Sequence, residues 1–212
     1  TNGFLLETKL NFLKQTRCQH INISLDSLRA GRFKEITKTK YFQKVYETVL
    51  RAKAQGFKVK VNTVVMRGIN DDEILALVGF AIEQELELRF IEWMPTNPLI
   101  DLEREERFLS NEFAMAEIER QYRLVPDDSD PHSPARSFLI AGTPARIGFI
   151  NPLSNVFCAM CNRVRLKVNG RIKTCLHGKE ELDLKTMLRA GVLREAIKCQ
   201  IASQKPGASQ NN

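Results

Sequence analysis

The chain has 212 residues, of which 43% are hydrophobic and 27% charged, with a formal net charge of +7. That length suits one large domain or two small ones with a real core, and no apolar run is long enough to span a bilayer, so an integral membrane protein is not expected. The positive sign admits nucleic acid, an anionic membrane or a small polyanionic substrate, but Lys and Arg are scattered and form no dense tract, which disfavours nucleic acid.

Thr1-Asn2-Gly3 reads as the end of a strand and a turn, with no initiator Met, so the chain is expected to be a fragment missing an N-terminal portion. Residues 4–16 carry a helical pattern, with Leu6, Leu10 and Leu13 on one face. A strand is predicted at 20–25, followed by capping chemistry at Asp26 and Ser27. The second helix, 41–54, is apolar at Phe42, Val45 and Val49 and is ended by Gly56. A strand at 57–66 follows. Asn70 and Asp71 cap a helix to about 83, and a third strand is predicted at 87–93. Helix and strand alternate three times, which is the signature of a parallel α/β sheet or barrel.

The strand faces carry further information. His20, Asn22 and Ser24 share one face, as do Lys58, Lys60 and Asn62, while Ile21, Ile23, Val59 and Val61 lie opposite. A parallel strand covered by helices on both sides is apolar on both. One polar face in two successive strands therefore suggests a barrel whose lumen holds a polar ligand, with the active groups at the C-terminal strand ends. Ser24, Asn62 and Met94 lie near those ends. Arg89 shares a face with Ile91 and Trp93, and a plain surface arginine accounts for it equally well.

After Pro95 the composition changes, and the domain boundary is placed there: 1–96 as one domain, 97–204 as a second, 205–212 as a disordered tail. The charge run at 103–107 reads as solvated surface. Ser110 caps a helix to about 120. Residues 122–125, 136–140 and 145–150 are strand-like, and 182–190 and 193–203 helical.

Residues 157–176 organise the second domain. Cys158 and Cys161 are separated by two residues, and Cys175 follows after thirteen more. A hairpin with Asn169-Gly170 as a two-residue turn would return Cys175 towards the first pair. Three sulfurs admit a zinc site completed by His177, a four-iron cluster with one open iron, or buried small hydrophobes. Arg163 and Arg165, directly after the second cysteine, suggest an anionic ligand beside the centre. With five cysteines in all, three of them clustered, and no basic-plus-apolar leader, a reducing cytoplasm fits better than a disulfide scaffold. Cys18 and Cys199 read as structural.

On five segments the chain resembles the GTP 3′,8-cyclase family of molybdenum cofactor biosynthesis, which are radical S-adenosylmethionine enzymes. These are Thr1-Asn2-Gly3, Asn22-Ile-Ser-Leu-Asp-Ser27, residues 60–72, Arg89-Phe-Ile-Glu-Trp-Met-Pro95 and residues 157–176. The last is the most specific, because Cys-x2-Cys-Asn-Arg-x-Arg with a later Cys separates this family from other radical enzymes. The resemblance implies a partial parallel (βα) barrel of radical-SAM type with a C-terminal α+β iron–sulfur cluster domain. It implies that Cys158, Cys161 and Cys175 hold a [4Fe-4S] cluster whose open iron meets the guanine. It places Lys60, Arg89, Arg163 and Arg165 on GTP, and Ser24 and Met94 on S-adenosylmethionine. The implied reaction is abstraction of the ribose 3′ hydrogen by a 5′-deoxyadenosyl radical and attack of the carbon radical on C8. The implied partners are GTP, S-adenosylmethionine and a reductant such as flavodoxin or ferredoxin, with no nucleic acid and no membrane; a homodimer stays open.

The family's N-terminal Cys-x3-Cys-x2-Cys, which holds a second [4Fe-4S] cluster, has no counterpart in the sequence, nor has its C-terminal Gly-Gly. The chain alone is accordingly expected to be inactive, and the activity is assigned to the full-length protein. Two other functions compete: another radical enzyme with an auxiliary cluster, and a non-enzymatic zinc module.

Overall fold

The fold is a computed structural model that describes residues 1–94, 104–127, 133–154, 165–173, 181–192 and 194–195. It divides into two compact units, residues 1–155 and 156–212.

In the first unit, the period-two alternation of the sequence becomes a parallel sheet. Strand β1 (His20–Ser24) alternates exposed and buried residues, and β2 (Lys58–Val65) buries every second side chain. β3 (Glu87–Glu92) completes the parallel set, with Asn22 beside Lys60 and Lys60 beside Glu87, then Ser24 beside Asn62 and Asn62 beside Arg89. The crossovers are helical, as parallel neighbours require. Before β1 the predicted N-terminal helix is shorter than expected: a 3-10 turn at Glu7–Lys9 leads into α1 (Leu10–Lys14), which buries Leu10. β1 and β2 are joined by α2 (Ala30–Thr37) and α3 (Phe42–Ala54). β2 and β3 are joined by a 3-10 turn, Asp71–Glu73, and α4 (Ile74–Glu83). α3 buries Val45, Thr48, Val49 and Ala52, whose spacing of three, four and seven places them on one stripe.

The helices cover one face of the sheet. Ile23, Val61, Leu88, Phe90, Leu77 and Val49 are completely buried between them. Phe90 stacks on Phe149 with ring centroids 6.0 Å apart, and Phe138 meets Phe149 edge-on at 5.7 Å.

Beyond β3, α5 (Arg104–Arg107) and α6 (Asn111–Glu119) precede β4 (Leu124–Pro126), β5 (Arg136–Ile140) and β6 (Arg146–Ile150). The sheet order is β1-β2-β3-β6-β5-β4. β6 lies parallel to β3, while β5 and β4 return antiparallel. The sheet is open among the described residues, with β1 and β4 as its edges, and the expected division at 96/97 falls inside this unit. The predicted Ser110 cap makes no side-chain bond. Instead the Glu92 carboxylate accepts from the backbone amides of Asn111, Leu153 and Ser154 and from the Ser154 hydroxyl, and the Asn111 side-chain amide donates to the carbonyls of Phe90 and Ile150. These bonds tie α6 to the ends of β3 and β6.

In the second unit, β7 (Arg165–Leu166), β8 (Arg171–Lys173) and β9 (Leu182–Asp183) form a small antiparallel sheet. The Lys167 amide donates to the Arg171 carbonyl and the Gly170 amide to the Lys167 carbonyl, so the hairpin loop has three residues, Val168 to Gly170, and not two. Gly170, at φ +81°, takes the left-handed position that closes such loops. The helix expected from 182 starts two residues later, as α7 (Leu184–Arg189), because the Asp183 side chain accepts from the Lys185 and Thr186 amides and caps it. The expected helix at 193–203 lies almost wholly outside the described residues, and the tail at 205–212 lies wholly outside them.

Candidate functional site

The sheet face opposite the helices carries polar rows, followed towards the C-terminal strand ends by an apolar one of Val64, Ile91 and Ile150. Across it run two rows fixed by strand register: Asn22, Lys60, Glu87 and Arg146, then Ser24, Asn62, Arg89 and Gly148. Alternation puts each of these side chains on the side away from Ile23, Val61, Leu88 and Phe90. Lys60 and Arg89, expected on separate strands, meet through one carboxylate. Glu87 lies 2.9 Å from the Lys60 ammonium and accepts from Arg89 Nε at 2.6 Å. The three side chains keep only 24%, 17% and 11% exposure for Lys60, Glu87 and Arg89.

Sequence reasoning did not single out Glu87, although its position two residues before Arg89 puts it on the same face. It also passed over Gly148. A Cβ there would come within 3.1 Å of Arg89 Cγ and 3.2 Å of the Ala135 Cβ, so the arginine stem lies over bare backbone. Beside Arg89, the Asn62 side-chain oxygen is buried with no hydrogen-bond partner among the described residues. A buried acceptor without a donor costs about 1–3 kcal/mol, which a ligand N–H or O–H would recover.

The C-terminal ends of β1, at Ser24, and of β2, three residues beyond Asn62, are held by buried side chains. The Asn70 amide donates to the carbonyls of Asp26 and Val64 at 2.7 and 2.8 Å, and its oxygen accepts from the Met66 amide at 2.8 Å. Asn70 therefore staples two strand ends rather than capping the following helix, and it makes no cap bond. Thr63 Oγ1 donates to the Leu25 carbonyl at 2.7 Å. Glu73, 1% exposed, accepts from Ser27 Oγ and the Leu28 amide, both at 2.8 Å, and pairs with Arg32 at 2.7 Å. Asp26 accepts from the Val64 amide at 2.8 Å. Burial pushes the Asp26 carboxyl above the usual aspartate range, and the Val64 hydrogen bond opposes that without cancelling it. Met94 follows two residues after the end of β3 and is half-buried.

In the second unit, Arg165 begins β7 opposite Lys173 and is exposed. The hairpin thus brings the chain back to within two residues of Cys175. Cys158, Cys161, Arg163, Cys175 and His177 lie outside the described residues. Among the described residues no cluster of His, Cys, Asp or Glu could hold a metal ion, Cys18 is a half-buried free thiol, and no helix is long and apolar enough to cross a membrane.

Comparison with known proteins divides the chain in two. The Radical SAM superfamily model matches residues 1–81, and the Molybdenum Cofactor Synthesis C model matches residues 86–210. Over 192 residues the chain is 42% identical to a GTP 3′,8-cyclase of Pseudomonas putida, covering 90% of this chain and 58% of the relative. A GTP 3′,8-cyclase of Rhodobacter capsulatus is 37% identical over 201 residues, covering 95% and 61%. One of Alkaliphilus metalliredigens is 41% identical over 190 residues, covering 89% and 58%. The chain thus spans about three fifths of the length of the curated relatives it matches.

Proposed function

Because the chain belongs to the Molybdenum Cofactor Synthesis C family, of the radical SAM GTP 3′,8-cyclases, we propose that it forms the substrate-side part of a GTP 3′,8-cyclase. The complete enzyme would convert GTP to its 3′,8-cyclised dihydroguanosine triphosphate, using S-adenosylmethionine and a reductant. The observation that carries this reading is the joining of Lys60 and Arg89 by Glu87 on the polar face of a parallel sheet. A triphosphate carries several negative charges and takes charge-assisted hydrogen bonds from such cations. Ser24 ends β1 and Met94 follows two residues after β3, near the strand ends where parallel α/β sheets place their ligands. Residues 1–96 would supply the cofactor-facing strands of a partial barrel. Residues 97–204 would supply the cluster-bearing portion, with β4 to β6 extending the sheet, and 205–212 a tail.

Cys158, Cys161 and Cys175 are the residues that would hold a four-iron cluster. Three thiolates leave one iron open for the substrate, and the family match supports this donor set over zinc completed by His177. When bound, the clusters and S-adenosylmethionine supply the radical chemistry. The residues of this chain bind and orient: Lys60, Arg89, Arg163 and Arg165 hold the anionic nucleotide, and Ser24 and Met94 face S-adenosylmethionine.

The test is reconstitution of the full-length protein without oxygen, followed by metal analysis and GTP binding. The Cys158, Cys161 and Cys175 site should hold close to four irons with acid-labile sulfide, and one tightly held zinc in its place would overturn the reading. Arg163→Ala and Arg165→Ala should each weaken GTP binding about ten- to a hundredfold with the cluster spectrum unchanged. Arg→Lys should restore part of it, since an ammonium keeps the charge but loses the planar fork. Unchanged GTP affinity in both alanine variants would remove the pair from the site.

A further inference from the structure

We propose that Glu87 is a positioning residue that orients Lys60 and Arg89 for the triphosphate. The inference rests on the reading that these two cations contact GTP, and it assigns a third residue that touches no ligand atom itself.

One carboxylate serves two cations through different oxygens. Oε1 accepts from Arg89 Nε at 2.6 Å, and Oε2 lies 2.9 Å from the Lys60 ammonium. Lys60 sits directly beside Glu87 on the neighbouring strand, and Arg89 lies two residues along the same strand. Two cations so close repel each other, and a carboxylate between them offsets that repulsion and fixes both side chains. Which arginine nitrogen is engaged matters. Holding Nε leaves the two terminal nitrogens as a parallel fork, the geometry that matches a phosphate or carboxylate. Those terminal nitrogens have no acceptor among the described residues, although the side chain is only 11% exposed. Gly148 adds a second observation, because its lack of a side chain opens the space in which the Arg89 stem lies.

A carboxylate in an anion site can have the opposite effect. If Glu87 merely screened the two cations, it would repel the phosphates, and removing it would tighten GTP binding. If it orients them, removing it weakens binding.

The experiment uses the full-length, cluster-loaded protein and measures GTP and S-adenosylmethionine affinity separately. Glu87→Ala should weaken GTP binding about tenfold and leave S-adenosylmethionine binding unchanged. Glu87→Gln should recover part of the loss, because the amide oxygen still accepts from Arg89 Nε. Arg89→Ala should weaken GTP binding, and Glu87→Ala combined with Arg89→Ala should be little worse than Arg89→Ala alone, since the brace then has less to hold. GTP affinity that is unchanged or tighter in Glu87→Ala, with Arg89→Ala still weakened, overturns the proposal, as does additivity in the double variant. Where Glu87→Ala fails to fold, Glu87→Gln decides: unchanged or tighter GTP binding rejects the positioning role. Unaltered GTP affinity in both Lys60→Ala and Arg89→Ala overturns the underlying reading instead, and this proposal with it.

Discussion

The two faces of β3 do opposite work with alternating residues. Leu88 and Phe90 are completely buried under helices, whereas Glu87 and Arg89 lie on the polar side. The same split runs through β2, where Val61 is completely buried and Lys60 and Asn62 are only half-buried. One face is sealed by apolar contact and the other carries ionic and polar groups. A strand inside a two-sided α/β sandwich would be apolar on both sides. If the polar face binds the nucleotide as proposed, substitutions one position apart should produce different kinds of defect, in folding on one side and in binding on the other.

The largest expected effect falls on the apolar face. Phe90→Ala removes a fully buried ring stacked on Phe149 and should destabilise the protein by about 3–5 kcal/mol, seen as a lowered urea midpoint. A loss below about 1 kcal/mol would mean that this face is not the core. Gly148→Ala sits between the two faces in its consequences. Its Cβ would crowd Arg89 Cγ and the Ala135 Cβ, so the cost should be about 1–3 kcal/mol, with GTP binding weakened through the displaced arginine. Stability loss with unchanged GTP affinity would show that the Arg89 stem needs no such room.

The smallest effect is a pH dependence at Asp26. Burial raises its carboxyl in the folded state, so its contribution is most favourable below the unfolded value of about 3.9 and is lost as pH rises through the raised folded value. Asp26→Asn cannot ionise, and its amide oxygen can still accept from the Val64 amide. The variant should match the parent protein at pH 4 and be the more stable of the two at pH 7, by urea unfolding at each pH. Identical pH slopes would show that Asp26 is not penalised by burial. Asp72 runs the other way. Desolvation raises it, but the Arg32 hydrogen bond and the charges of Arg32 and Arg29 bring it below the usual range. Its contribution is therefore present above the unfolded value and lost as pH falls through the folded one.

What the sequence made legible is what local pattern encodes. The period-two alternation at Asn22, Ser24, Lys60 and Asn62 foretold the polar face, and the helices between strands foretold parallel pairing. What it hid was set by pairing between distant strands. Nothing local singles out Glu87 until register lays it beside Lys60, or Gly148 until Arg89 lies over it. Asn70 looked like a helix cap because Asn is a good one, yet its amide finds better partners in two strand ends. The division at 96/97 followed composition, which says nothing of β6 returning to pair with β3.

That return has a consequence for how the gene can be cut. The region matched by the Radical SAM model ends at residue 81, before β3, while β3 and β6 both belong to the region matched by the other model. The seam between the two matched regions therefore runs between adjacent, hydrogen-bonded strands, β2 and β3, of a single sheet. An expression piece ending there would present the open edge of β2, and its counterpart the open edge of β3, each a template for aggregation. Recombining halves from different relatives at this seam would succeed only where both strands and the Lys60–Glu87 contact came from compatible parents.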